Sequence, residues 1–282
     1  MKAGLKIGMV GKGGVGKTTL SALLARTFVG RGLRVVAVDT DSNPNLGLSL
    51  GLDLEQTEAV PVLPRSLVVG RRGDCAVDEL LERYGVRTPS GVTVLSALRV
   101  NEAGAGCTCG GHATVRSLLA ESLAEHADVT IIDMEAGIEH LSRSGGTLAH
   151  ADILVIVMDP SRKSVVTAAR TIALADELGI ARCVAIGNKA QPGDDRFFEE
   201  QCRELGVPLV GVFPAAPSIV AADRVGRRLA EADAPEIWAK VGELADLIVE
   251  QVPVSQIELT APTSAASNRA ERGAQHNKQV PA

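Results

Sequence analysis

Aromatic residues are nearly missing from this 282-residue sequence: one Trp, one Tyr and four Phe make up 2% of the chain. Surfaces that hold single-stranded nucleic acid lean on aromatic stacking, so that class is disfavoured. A surplus of positive charge is missing too, because 34 acidic residues outnumber 29 basic ones and leave a net charge of -5. No global field attracts a polyanion, and nucleic acid is not an expected partner. Long apolar runs are also lacking: the stretch 153–158 falls far short of a membrane span. The first residues enter a glycine loop without a long apolar segment or a small-residue cleavage site, so no signal peptide is expected. The expectation is a cytoplasmic protein without membrane attachment. The five cysteines form no even disulfide framework, and in a reducing compartment a close pair of them reads as metal or redox chemistry.

Glycine, by contrast, is plentiful at 29 residues, in a chain that is 45% hydrophobic and 22% charged. An aliphatic, glycine-rich composition suits parallel strands buried between helices, and turns that wrap phosphate. Short β-branched runs near 5–10, 34–38, 92–95, 129–132, 153–158, 183–187 and 209–212 alternate with helical patterns near 17–30, 114–124, 164–178, 195–205, 218–229 and 234–249. That alternation predicts an α/β fold, a single domain with a mostly parallel sheet flanked by helices on both faces. The segment 53–88 is the least regular and reads as an insertion with a helix around 77–84. The folded domain is expected to cover 1–252, and the polar segment 253–282 to be a disordered tail.

Residues 11–18, Gly-Lys-Gly-Gly-Val-Gly-Lys-Thr, match G-x-x-x-x-G-K-[ST] between an apolar strand and a helix, where a phosphate-binding loop has to sit. Its backbone N–H groups curl around phosphate oxygens, and the positive end of the helix points at them. Gly13, Gly14, Val15, Gly16, Lys17, Thr18 and Thr19 are therefore the candidate nucleotide-binding residues. Lys17 is assigned to the β- and γ-phosphates and the Thr18 hydroxyl to Mg²⁺. Acidic groups end two strands: Asp39-Thr40-Asp41 after the second, and Asp133-Met134-Glu135-Ala136-Gly137 after a later one. Asp41 is the candidate for orienting the attacking water. An Asn188-Lys189 pair ends another strand, yet Gln191 stands where a guanine-reading Asp would be needed, so adenine is favoured. Asn188 is expected at the base edge, flanked by Phe213-Pro214 and the turn 215–217.

Cys107-Thr108-Cys109 lies among Gly104, Gly106, Gly110 and Gly111, which leave its sulfurs uncovered, just before a helix whose N-terminus acidifies thiols. Two thiolates do not complete a tetrahedral Zn²⁺ or square-planar Ni²⁺ site, which wants about four ligands. A two-fold dimer supplies four sulfurs and predicts one metal per dimer. Metal identity stays open, because thiolates serve zinc and nickel alike.

The loop Lys12-Gly13-Gly14-Val15-Gly16-Lys17-Thr18-Thr19 resembles the deviant Walker A box of the MinD/ParA/nitrogenase-iron-protein class of ATPases. That resemblance implies ATP hydrolysis by a face-to-face homodimer in which Lys12 reaches the partner's nucleotide. It also implies that Asn43-Pro44-Asn45 is switch I, that 133–137 is switch II, that Asp133 lies near Mg²⁺, and that Asp41 serves the attacking water. The Cys107–Arg116 segment, followed by 133–141, resembles more narrowly the CooC-type ATPases that help insert nickel into carbon monoxide dehydrogenase, over residues 4 to about 250. This implies Ni²⁺ (or Zn²⁺) bound by Cys107 and Cys109, with apo carbon monoxide dehydrogenase as client. His112 and His140 are read as surface bystanders. A MinD- or ParA-like positioning switch is the alternative. The last helix carries too little positive charge for the membrane anchor of MinD-like members, and Arg71-Arg72 and Arg227-Arg228 are too few for a DNA patch. His140 stands where a nitrogenase-type protein places its second cluster cysteine, which disfavours that cluster.

Overall fold

The computed structural model describes residues 4–64, 76–99, 109–120, 126–136 and 148–251. Eight strands are joined in one sheet: β1 (Leu5–Gly11), β2 (Val35–Asp39), β3 (Val86–Arg87), β4 (Thr93–Ser96), β5 (Val129–Asp133), β6 (Ile153–Met158), β7 (Cys183–Ala190) and β8 (Leu209–Pro214). Their order is β3-β4-β2-β5-β1-β6-β7-β8, and every pairing is parallel except that of the two-residue β3 with β4. Among the described residues, the helices of at least eight residues are α1 (Lys17–Gly30), α4 (Val77–Tyr84), α5 (Cys109–Ala120), α6 (Arg162–Glu177), α7 (Asp195–Leu205), α8 (Pro217–Arg224) and α9 (Pro235–Glu250). Two shorter ones, α2 (Leu46–Ser49) and α3 (Leu54–Glu58), follow β2.

Each central strand is buried on both faces because successive side chains point to opposite sides. In β6, Ile153, Val155 and Val157 enter one apolar cluster, together with Phe28 of α1, Phe213 of β8 and Ile237, Val241, Leu244 and Ile248 of α9. Leu154, Ile156 and Met158 enter the other, with Val115 and Leu118 of α5, Ala168 of α6 and Phe198 of α7. All six β6 residues are fully buried, which explains an unbroken apolar run too short for a buried helix. Most of this core is aliphatic, at roughly 1.5–3 kcal/mol for each large side chain removed from water. The apolar stripe of α9 is spent against α1 and the sheet. Among the described residues, no helix is long and apolar enough to cross a membrane.

β1 lies between β5 and β6, so the chain changes sides of the sheet around it and opens a crevice at the carboxyl ends of these strands, where parallel sheets bind ligands. The expected elements are found with shifted ends. The helix expected from 114 begins at Cys109, because the Gly110-Gly111 pair is taken into its first turn rather than left in the loop. Burial of Val115, Leu118 and Leu119 offsets the roughly 1 kcal/mol that each glycine costs. The helix expected over 218–229 stops at Arg224, since Gly226 takes a left-handed conformation (φ 60°). The segment read as irregular after 53 holds α3, which opens with a reciprocal Asp53–Gln56 capping box.

Candidate functional site

The phosphate loop runs from the end of β1 into α1. Gly11, Gly14 and Gly16 have φ of 143°, 80° and 100°, values that favour glycine. A Cβ at Gly11 would collide with the Val157 carbonyl, and one at Gly16 with the Asn188 amide nitrogen. Gly16 caps α1 without a side-chain hydrogen bond, and the first turn of α1 holds no acidic residue. The positive end of that helix is therefore left to an external anion. Lys17 is 7% exposed, and its Nζ donates to the Lys12 carbonyl at 3.3 Å. Burial pulls its pKa below the ordinary lysine value, while the carboxylates of Asp133, Asp41 and Glu135 push it back up. Lys12 is half-exposed, with its Nζ 3.5 Å from the Gly13 carbonyl.

The two acidic strand ends are neighbours, with Asp39 of β2 paired in register with Asp133 of β5. Both are 2% exposed. Burial raises the pKa of each, helped for Asp39 by Asp133 and for Asp133 by Asp41. Hydrogen bonds from Thr18 and Ser21 to Asp133, the latter at 2.9 Å, work the other way, as does Lys17. Asp39 accepts the backbone N–H groups of Asp41 (3.0 Å) and Leu46 (2.9 Å), so one carboxylate holds both ends of the 41–46 loop. Asp41 accepts the Asn43 N–H at 2.8 Å within that loop. The fully buried Thr40 donates to the Asp133 carbonyl through both its N–H and its hydroxyl, each at 3.0 Å. Ser42 donates to Glu135 at 2.8 Å, giving a second link between the two loops.

Near the end of β7, Asn188 is 8% exposed and its amide nitrogen donates to the Val15 carbonyl at 2.7 Å. Lys189, the sole non-glycine residue with positive φ (59°) among the described residues, donates from Nζ to the Gly14 carbonyl at 2.6 Å. The pair thus clamps the phosphate loop from β7, with the Asn188 Oδ1 left as an acceptor suited to an adenine amino group. A cavity of about 390 Å³ begins at Thr18 and Thr19 and runs along α1 to Arg26, walled by Ile219, Ala222 and Asp223 near α8. Arg26 donates to the Leu229 carbonyl at 2.6 Å and stacks over the Trp238 ring at 4.4 Å.

Residues 9–229 match the family model of the CobQ/CobB/MinD/ParA nucleotide-binding domain. The chain belongs to that family. Within it, the chain is 37% identical over 238 residues to the carbon monoxide dehydrogenase accessory protein CooC of Rhodospirillum rubrum, covering 79% of this chain and 88% of that one. An uncharacterized ATP-binding protein of Methanocaldococcus jannaschii is 33% identical over 237 residues, 79% of this chain and 90% of that one. Among solved structures, the septum site-determining protein MinD with Mg-ADP from Pyrococcus horikoshii superposes with a TM-score of 0.65 at 22% identity, over 87% of this chain and 96% of that one. The protein is a CooC-like ATPase of the CobQ/CobB/MinD/ParA family, with the P-loop fold that the strand and helix pattern implies.

ATP and Mg²⁺ are the cofactors of such an ATPase. The residues at hand fit the cation: the Thr18 hydroxyl is hydrogen-bonded to a buried Asp133 whose proton affinity is raised, a carboxylate that gains from a divalent neighbour. The structure gathers Gly13 to Thr19, Asp41 and Asp133 around one crevice and brings Asn188 against it. It adds Ser21, Thr40, Ser42, Glu135 and Lys189, whose hydrogen bonds cross between elements far apart in sequence. Of these, Lys189 had a sequence signal as half of the Asn-Lys pair, and Thr40 and Glu135 stand inside the two acidic motifs. Cys107, Gly137 and His140 lie outside the described residues, and Cys109 is the first residue of α5. The expectation for His112 is corrected: it is 2% exposed, turned inward on α5 rather than lying at the surface.

Proposed function

We propose that this ATPase is a nickel-carrying metallochaperone that works as a homodimer and delivers its metal to apo carbon monoxide dehydrogenase. The observation that carries the reading is the match to CooC over most of both chains, in a sequence that holds Cys107-Thr108-Cys109. Nickel is cargo here. Cys107 and Cys109 from each of two protomers give the four sulfurs that one Ni²⁺ or Zn²⁺ requires.

In the proposed cycle, the loop N–H groups and Lys17 hold the β- and γ-phosphates while Lys12 reaches across to the partner's nucleotide. Mg²⁺, held at Thr18 with Asp133 behind it, neutralises phosphate charge when bound. Asp41 orients a water whose oxygen bonds to the γ-phosphorus as the bond to the β–γ bridging oxygen breaks, releasing ADP and phosphate. The loops at 40–45 and 133–137 report that change. Support for a path to the cysteines comes from packing: Val115 and Leu118 of α5 share an apolar cluster with Val38, Ile132 and Met134, beside the two acidic strand ends. A shift of those ends is therefore felt at the root of the helix that Cys109 begins.

Anaerobic Ni²⁺ titration of wild type and the Cys107→Ser/Cys109→Ser variant, with and without ATP, tests the reading. Loss of the tight site in the variant is expected. Metal uptake unchanged by the double substitution removes the nickel role and leaves a MinD/ParA-like positioning switch as the reading to pursue.

A further inference from the structure

Arginines gather in one place although the chain as a whole is acidic. The net charge is -5, yet the cavity along α1 is lined by Arg26, Arg227 and Arg228 against one acid, Asp223. Arg227 is already paired with Asp233 at 3.1 Å. Arg26 and Arg228 form no ion pair among the described residues. Arg26 is half-buried, and a desolvated charge without a counter-charge is costly. Burial, and then Arg228, pull its pKa down to about 10, with Glu231 working the other way.

Both side chains are held in place. Arg26 sets its guanidinium over the Trp238 ring, 4.4 Å from the centre, and donates to the Leu229 carbonyl at 2.6 Å. That is its one hydrogen bond among the described residues, although a guanidinium carries five N–H donors. Arg228 donates to the Ser90 hydroxyl at 3.2 Å, and its Cδ lies over Gly51, 3.0 Å from where a Cβ would stand. The cavity they line, at about 390 Å³, has the size of a small-molecule site, and Ala22, Leu23, Leu48 and Ile219 add apolar wall. Arg26 lies eight residues beyond Thr18 on α1, about 12 Å along the helix axis, so this end of the cavity is remote from the phosphate loop.

We propose that the Arg26 and Arg228 end of the cavity is an anion site, which takes the phosphate group of a small phosphate monoester whose apolar body lies along α1. A dianion suits two guanidiniums, and phosphate oxygens match their fork of N–H groups. The site lies outside the ATPase machinery, so the protein binds a second anionic ligand beside its nucleotide.

Trp238 is the one tryptophan of the chain, so its indole N–H gives a single resonance in nitrogen-labelled protein. That N–H is buried without a hydrogen-bond partner among the described residues, and the ring lies under Arg26, so the resonance reports what reaches the guanidinium. Phenyl phosphate is titrated into the full chain saturated with Mg-ADP, with inorganic phosphate and phenol as controls. Phenyl phosphate is expected to shift the resonance saturably, inorganic phosphate to bind at least about threefold more weakly, and phenol to have no effect. Arg228→Gln, at an exposed position, should weaken phenyl phosphate about three- to tenfold, and Arg26→Lys, which keeps the charge but loses the fork, about tenfold. A shift of equal size with phenol, no saturable shift, or an affinity indifferent to both substitutions overturns the proposal. So does binding to the ADP-free chain alone, because it assigns the whole cavity to the nucleotide.

Discussion

Replacing Asn188 by Ala removes the one hydrogen bond that ties β7 to the Val15 carbonyl at the heart of the phosphate loop. The bond is 2.7 Å long and buried, with Asn188 8% and Val15 0% exposed. Its loss costs about 1 kcal/mol as a net hydrogen bond, and about 1–2 kcal/mol more because a buried carbonyl is left without a partner. The sum is about 2–3 kcal/mol. With a urea slope of about 2–3 kcal/mol per molar, the unfolding midpoint should fall by about 1 M at unchanged slope. ATP affinity should fall at least about tenfold, because the loop then has to be ordered by the nucleotide itself. Asn188→Asp separates chemistry from volume: it keeps the shape but turns an oxygen toward the Val15 carbonyl, so it should destabilise at least as much as Ala. Refutation would take an Ala variant within about 0.5 kcal/mol of wild type, or an Asp variant milder than Ala.

Other consequences follow from the same site. Gly16→Ala places a methyl group on the Asn188 amide nitrogen at φ 100°, so it should abolish ATP binding, and adding Asn188→Ala should recover only part because the backbone strain remains. Equilibrium binding of a fluorescent nucleotide would show this. Thr40→Val keeps the shape but deletes the hydroxyl bond to the Asp133 carbonyl, at a cost of about 1–2 kcal/mol in urea unfolding. Asp39 and Asp133 hold their protons more tightly in the folded chain than in the unfolded one. Their stabilisation is thus complete below the ordinary aspartate range and is lost as pH rises through the raised folded values. In metal-free, nucleotide-free buffer, Asp133→Asn should therefore gain stability relative to wild type as pH rises from about 4 to about 7, from the ordinary aspartate range up to the raised values of Asp133 (about 6) and Asp39 (about 7). A gap that stays constant with pH contradicts the shared burial of the two carboxylates.

The architecture was legible because both of its signals are local. Fully apolar runs such as 153–158 mark strands covered on two faces, and the glycine-lysine pattern at 11–18 has few uses other than phosphate binding. Element ends were less legible, since they depend on tertiary packing: Gly110 and Gly111 read as loop residues until His112, Val115 and Leu118 are seen to bury the helix that contains them. The capping box at Asp53 and Gln56 was readable and marks α3 within a stretch otherwise lacking periodicity. Partners such as Thr40 with Asp133, or Lys189 with Gly14, join residues 93 and 175 positions apart, and no spacing rule announces them. Asn188 shows the difference best. Its residue type suggests a base contact, while its amide nitrogen is spent on holding the loop.

The most direct test of the central claim is native mass measurement of the anaerobic protein with Ni²⁺, in the presence of a non-hydrolysable ATP analogue or of ADP, for wild type and Lys12→Ala. The account predicts one metal per dimer with the ATP analogue, and a weakened metal-bearing dimer with ADP or when Lys12 is removed. One metal held by each isolated chain, indifferent to the nucleotide and to Lys12, would contradict it.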